Sequence, residues 1–315
     1  MTGRREGRQA AGGQPAQRLK CYVFQGLAVE AGALAPGLHI VATPIGNLRD
    51  MTVRAMETLA AADLIACEDT RVTRKLTERY GITTPLTPYH EHNAAQARPR
   101  LLERIARGAA VALTSDAGTP LVSDPGFKLA REARAAGLMV TAVPGPSAVL
   151  AALTVCGLPT DRFLFEGFLP AKQTQRRRRI EEIKLIPATL VLFESGPRLA
   201  ATLADLAAAL GPREAALCRE LTKLHEEVRR GELAALAAEY AQRGEPRGEI
   251  VIVVAPPSPE ASEAGDLDRL LREALARVSV KEAVGEIAAV TGQPRREVYR
   301  RALALAQAQE RTRDC

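Results

Sequence analysis

Two carboxylates, Asp116 and Asp124, share one Gly/Pro-rich stretch, SDAGTPLVSDPG over 115–126. Two further acids close apolar runs elsewhere: Glu68 follows 64–67 and Glu220 follows 215–218. Acids placed in this way can hold hydroxyls or a positive charge, or can take the proton from a hydroxyl as it becomes a nucleophile. Two similar turns accompany them. TPIGN, with Pro44 and Gly46, follows 38–42, and VPGPS, ending in Ser147 before Ala148, follows 139–142. Small residues let a backbone approach a ligand closely. One such loop would be an ordinary tight connection; three argue for a shared pocket. Asp69 or Thr70, beside Glu68, also reads as the N-cap of a following helix.

Such residues need a frame that gathers strand ends. Apolar runs at 38–42, 64–67, 111–113 and 139–143 alternate with helical stretches at 52–61, 71–79, 94–107 and 126–136. This βαβα rhythm predicts an α/β domain with a mainly parallel sheet. Right-handed crossovers would then align the three loops along one edge. A second α/β unit is expected from 158, with strands at 163–165, 189–193, 215–218 and 250–254. Its helices are expected at 174–186, 198–210 and 233–242. The proline-rich 255–259 reads as a linker. The expected partition is an unstructured leader over 1–36, α/β domains over 37–157 and 158–255, and a linker with a helical tail over 256–315.

Composition narrows the function. The 315 residues are 46% apolar and 25% charged, as in a soluble globular protein. No run is long enough to span a membrane, and the basic start lacks the apolar core of a secretory signal. A net charge of +6 favours a polyanionic partner. Aromatics are 3% with no Trp, which argues against a platform stacking many bases. The five cysteines are scattered without a CxxC pair, so neither a disulfide framework nor a zinc site is indicated. His90 and His92 have metal-like spacing, but the acids near them make no recognisable ligand set, and no metal is expected.

Phosphate-gripping motifs are missing: there is no GxxxxGK[ST], and no GxGxxG after the first strand. A GxSxG elbow is also absent. The pocket therefore suits a ligand without phosphates, held by backbone and by one or two carboxylates. S-adenosyl-L-methionine has such a chemistry, with ribose hydroxyls, an amino acid head group and a sulfonium. Asp116 could hold its ribose or its charged end.

The tail adds a basic element. Ser279-Val-Lys-Glu282 is a capping-box signature. Gly292-Gln-Pro294 breaks that helix and leads into a second one carrying Arg295, Arg296, Arg300 and Arg301. Two short helices with a Gly-containing turn resemble a helix-turn-helix, with the arginines where a recognition helix would lie. A small packing or dimerisation bundle with solvated arginines fits the same pattern. Arg71, Lys172 and the run 176–179 are further candidates for contacts with the phosphates of a polyanionic partner, although such a run can equally be a solvated helix face.

TPIGNLRD, ACEDTR, the H-x-H-N stretch from His90 to Asn93, SDAGTPLVSDPG, VPGPSA, FEGFLPAK, FES-x-x-R, RELTK and RGEIVIVV occur in that order. Together they resemble the ribosomal small subunit RNA cytidine 2′-O-methyltransferase family of the tetrapyrrole (corrin/porphyrin) methylase superfamily. The likeness runs from about 37 to 254, and the tail resembles that family's carboxyl-terminal helix-turn-helix. It implies a cytoplasmic homodimer using S-adenosyl-L-methionine on the ribose of a decoding-centre cytidine in 16S RNA; the assembled subunit is the expected substrate, with naked RNA the alternative. A tetrapyrrole or another small molecule is the alternative substrate within the superfamily. The resemblance also implies a cofactor cleft between the two α/β domains. Pro44 and Gly46 would form its first loop, Asp116, Ala117 and Gly118 its second, and Ser147 and Ala148 its third. Glu194 and Gly248 would close it from the second domain. Glu68, Asp124 and Glu220 are the candidate bases. The chain departs from the family pattern at Ala94, where Glu is frequent, and at Pro197, where His is frequent.

Overall fold

The computed structural model describes residues 20–313. By contact density the chain divides into two compact units, Met1–Ser147 and Ala148–Cys315.

The first unit opens with a hairpin, β1 (Cys21–Phe24) and β2 (Leu27–Glu30), paired antiparallel from Cys21↔Glu30 to Phe24↔Leu27. Gln25 and Gly26, at φ 52° and 82°, form its two-residue turn, the left-handed pair that matches strand twist. This corrects the expected leader. Its part over 21–30 is regular, and Tyr22 buries its ring with Met56 and Leu59 in one apolar cluster. Residues 1–19 lie outside the described residues.

The alternating part follows as β3 (Gly37–Val41), α1 (Val53–Ala61), β4 (Leu64–Cys67), α2 (Thr70–Arg79) and β5 (Leu86–Pro88), then α3 (Ala94–Ala106), β6 (Ala110–Thr114), α4 (Phe127–Ala135) and β7 (Val140–Val143). The sheet order is β5-β4-β6-β3-β7, and every pairing is parallel. All five carboxyl ends therefore face one edge. Apolar clusters cover both faces. One joins Leu59, Ile65 and Ala112 with Met56; the other joins Leu101, Ile105 and Leu129 with Val111 and Leu113. Continuous burial across β4 and β6 matches the unbroken apolar runs of a parallel sheet. The edge strand β5, ending in a proline, has no such run, so the sequence does not betray it.

The second unit begins with α5 (Ala148–Val155) and continues as β8 (Phe163–Phe168), α6 (Gln173–Ile183), β9 (Thr189–Ser195), α7 (Gly196–Leu210), β10 (Glu214–Arg219), β11 (Glu227–Glu232), α8 (Leu233–Arg243) and β12 (Glu249–Val254). The boundary falls ten residues before the expected one because α5 packs with β12. Its sheet order is β11-β10-β12-β9-β8; only β8 and β9 run parallel. Register places the ends of β9 and β10 and the start of β12 together, through Arg219↔Ile250 and Ser195↔Glu249.

The tail is three helices, α9 (Pro259–Leu275), α10 (Val280–Thr291) and α11 (Arg295–Arg313). Ser279 and Glu282 form the expected capping box, and Gly292 ends α10 at φ 68°. Leu271, Ile287, Val298 and Ala302 make its core. Among the described residues, no helix is long and apolar enough to cross a membrane.

Candidate functional site

The parallel register of the first sheet brings the three predicted loops to one edge, and hydrogen bonds tie them. Thr43 donates its backbone N–H to the Gly118 carbonyl at 2.9 Å and accepts the Gly118 N–H at 3.0 Å. The Thr119 hydroxyl donates to the Pro146 carbonyl at 3.2 Å. The loop of Pro44 and Gly46, that of Asp116, Ala117 and Gly118, and the one ending in Ser147 are thus one assembly. Gly118 sits at φ 75°, and a Cβ there would lie 3.3 Å from the Ile45 side chain and 3.9 Å from the Pro146 carbonyl. The 115–126 loop is also strained, with Leu121 at φ 74° and Ser123 at φ 63°. Non-glycine residues held in this region cost free energy and concentrate at functional sites.

The acids of this edge form a group. Asp69 caps α2, its carboxylate accepting the Arg71 N–H at 2.8 Å, and donates its own N–H to Asp116 Oδ1 at 3.0 Å. The capping expectation at this turn is met, and the cap also ties the end of β4 to the loop after β6. Burial, followed by the charges of Asp116 and Asp124, raises the Glu68 pKa above the ordinary carboxylate value. Burial likewise raises Asp116, opposed by the Asp69 backbone hydrogen bond more than it is aided by the Asp69 charge, and raises Asp124, with a hydrogen bond from Ser115 opposing and Asp116 adding to it. Like charges that crowd one another in partial burial favour the protonated form. The exposed Arg71 is held by Asp69 at 2.6 Å.

Glu220 stands in a different environment, at the end of β10 in the second unit. It accepts from Lys223 at 2.8 Å and from the Glu249 N–H at 3.1 Å. The Lys223 hydrogen bond leads in lowering its pKa. Gly248, at φ 95°, leaves room for this carboxylate: a Cβ there would fall 2.3 Å from Glu220 Oε1. Glu220 itself and Thr222 are held at φ 50° and 67°. Glu194 is buried and occupied, accepting from the Thr202 hydroxyl at 2.6 Å and the Ser195 N–H at 2.8 Å. Ala148 opens α5.

The basic candidates separate by environment. Arg176 is buried, and Arg176 and Arg177 both pair with Asp205, each at 2.7 Å. Arg179 bridges Glu166 and Glu182. Arg178 and most of the Arg177 side chain remain open to solvent. Arg176 and Arg179 are thereby taken up as internal contacts: Ile180 and Ile183 face the core, and these arginines latch α6 to α7 and β8. Sequence shows the charges but not the acids that meet them. Lys172, exposed at the start of α6, has no acidic partner among the described residues. In the tail, Arg301 grips Asp268 of α9 with two guanidinium nitrogens, whereas Arg295, Arg296 and Arg300 are exposed on α11. At the H-x-H-N stretch, Asn93 accepts the His90 N–H at 2.9 Å and donates to the Pro88 carbonyl, so it fixes a turn. Pro197 occupies the first turn of α7, where its missing N–H costs nothing.

Known proteins agree with this architecture. A model of the tetrapyrrole (corrin/porphyrin) methylases matches residues 37–237, and one of the RsmI C-terminal HTH domain matches 261–306. The chain is 54% identical over 278 residues to the ribosomal RNA small subunit methyltransferase I of Mesorhizobium japonicum, covering 88% of this chain and 95% of that protein. It is 45% identical to the protein of the same name from Pseudomonas aeruginosa, over 84% of this chain and 96% of that one. The fold is shared with the methyltransferase CobJ, at TM-score 0.53 and 20% identity, over 70% of this chain and 94% of CobJ. Diphthine synthase shares it at TM-score 0.54 and 20% identity, over 69% and 89%. With two parallel-edge loops joined through Thr43 and Gly118 and relatives of this identity along most of its length, the chain belongs to the tetrapyrrole (corrin/porphyrin) methylases and, within them, to the ribosomal RNA small subunit methyltransferase I family.

Proposed function

We propose that this methyltransferase uses S-adenosyl-L-methionine to methylate the ribose 2′ hydroxyl of a decoding-centre cytidine in 16S ribosomal RNA. It acts as a cytoplasmic homodimer on the assembled small subunit. The observation that carries this reading is the junction of three small-residue loops with Glu68, Asp116 and Asp124 at one sheet edge. The names of the relatives support the RNA substrate.

The residues present fit the cofactor. Gly118 is buried with both backbone groups bonded to Thr43, which holds the neighbouring Gly46, Asp116 and Ala117 exposed at the edge, where the carboxylate suits hydroxyls and cationic groups. When bound, S-adenosyl-L-methionine supplies a methyl group activated on a sulfonium sulfur. Pro44, Gly46, Ala117 and Ser147 contribute the loop backbone, and Asp116 a charge-assisted contact.

A ribose hydroxyl attacks only as its proton departs. Glu68 and Asp124, raised by burial and mutual charge, are the better acceptors of that proton, because a base works best when its pKa lies near the working pH. Glu220, tied down by Lys223, serves to position its loop with Gly248. The carboxylate of Glu194 is committed to the turn into α7. Arg71, Lys172, Arg295, Arg296 and Arg300 supply positive charge for RNA phosphates.

Labelled cofactor offered to small subunits and to naked RNA, followed by alkaline cleavage, tests the reaction. A 2′-O-methyl group removes the nucleophile for cleavage, so one alkali-resistant linkage 3′ to a single cytidine is expected. Label on a base carbon or nitrogen with no resistant linkage would refute the ribose assignment.

A further inference from the structure

The four tail arginines do not act alike. Arg301 is bound to Asp268, which locks α11 to α9. The Arg295 guanidinium turns back toward α10, where a Cβ on Gly285 would lie 3.6 Å from its Nη2. Arg296 and Arg300 remain exposed, and among the described residues neither has an ion-pair partner. Beside them on the same face stand Tyr299, half exposed, and Leu303, 42% exposed. Spacings of three and four residues place all four side chains side by side on a helix. The opposite face, Val298, Ala302 and Leu305, is the one buried in the tail core.

On this face an aromatic ring meets water beside two arginines that have no ion-pair partner among the described residues. The chemistry that satisfies it is a flat base over the ring with phosphates on either side. Apolar protein partners would have no use for the paired arginines. A regular duplex would hide its bases from the tyrosine.

We infer that Arg296, Tyr299, Arg300 and Leu303 form a site for an unpaired nucleotide of the RNA, its base stacked on Tyr299 and its flanking phosphates on the two arginines. This rests on the RNA substrate proposed above. It separates the tail's task, gripping a single-stranded segment, from the chemistry at the sheet edge of the first unit.

The test uses the full chain without cofactor and two probes: a short labelled single-stranded RNA and the same strand annealed to its complement. Tyr299→Ala should weaken single-strand binding about tenfold while leaving the salt slope unchanged. Tyr299→Phe should restore it, and Tyr299→Leu should not. Arg296→Ala with Arg300→Ala should reduce the slope of log affinity against log salt by about 1.4. Binding of the duplex should respond less to Tyr299→Ala than binding of the single strand. The inference is overturned if Tyr299→Ala, with helicity intact, binds the single strand like the wild type. Full rescue by Tyr299→Leu would replace stacking by plain apolar contact and overturn it equally. So would a change of oligomeric state in Tyr299→Ala without a change in RNA affinity. Because no methyl transfer is read, loss of the ribose assignment and loss of this site give different results.

Discussion

Thr43 and Gly118 exchange both of their backbone hydrogen bonds, at 2.9 and 3.0 Å, and thereby splice the loop after β3 to the loop after β6. Neither residue carries an ionisable group. Their pairing sets where Pro44, Gly46, Asp116 and Ala117 can stand, so the site is preorganised by backbone before any side chain takes part.

Gly118→Ala should test that splice. At φ 75° an alanine is strained by about 1–2 kcal/mol, and its Cβ must also displace Ile45 from 3.3 Å. We expect a stability loss of about 1–2 kcal/mol and a larger proportional loss of cofactor affinity. Chemical denaturation and calorimetric titration with S-adenosyl-L-methionine would measure the two. An alanine variant that binds as tightly as the wild type would show that the loop junction does not shape the pocket.

Removal of the base should separate the three acids kinetically. General bases contribute about 10²–10⁴-fold, so Glu68→Gln or Asp124→Asn should slow single-turnover methyl transfer by at least about a hundredfold. The rate for the wild type should rise with pH through a value above the ordinary carboxylate range, following the raised pKa of these groups. Glu220→Gln should leave a much faster enzyme. The reverse ranking, with Glu220 indispensable and both others dispensable, would move the proton acceptor to the other unit.

The strands most easily read in the sequence are those buried on both faces. Leu64–Cys67 and the core of Ala110–Thr114 are continuous apolar runs, and the loops that follow them hold the predicted acids. The edge strands are less legible. Glu227–Glu232 is mostly charged because water covers it, and its strand state comes from pairing with β10 rather than from its own pattern. The hairpin at 21–30 is hidden for the same reason: only Tyr22 is deeply buried in it. For the site, glycines and prolines announce the loops, but partners decide what each charge does. Arg176 and Arg301 look like their neighbours in sequence and differ only because Asp205 and Asp268 reach them from distant elements. The group of Glu68, Asp116 and Asp124 depends likewise on β4 lying beside β6, a crossover that no local pattern encodes.

The arginine run offers a contrast between packing and binding. Arg176→Ala leaves Asp205 buried with one fewer partner, a change worth about 3–5 kcal/mol when a buried pair is broken. Arg177 still reaches Asp205, so the lower end of that range is expected. Arg178→Ala, at an exposed pair with Glu182, should cost less than about 0.5 kcal/mol. Urea unfolding at constant m would show the difference. Equal stability of the two variants would mean that Arg176 does not anchor α6 to α7.

Two carboxylates should respond to pH in opposite directions. Burial and neighbouring acids raise the folded pKa of Glu68, so folding favours its protonated form. Its contribution is fully present below the unfolded carboxylate value of about 4.3 and is lost as pH rises through the raised folded value. The Lys223 hydrogen bond lowers the folded pKa of Glu220, so folding favours its charged form. That contribution is present above about 4.3 and is lost as pH falls through the lowered value. Glu68→Gln should therefore gain stability relative to the wild type between about pH 4 and pH 7, whereas Glu220→Gln should lose it over the same interval. Both side chains are partly solvated, so screening keeps each difference small, and its sign is what distinguishes the two variants. Denaturant midpoints for the three proteins at both pH values give the comparison directly. Parallel changes in the two variants would mean that the acids of the first sheet edge do not crowd one another, and the assignment of the proton acceptor to Glu68 and Asp124 would lose its electrostatic basis.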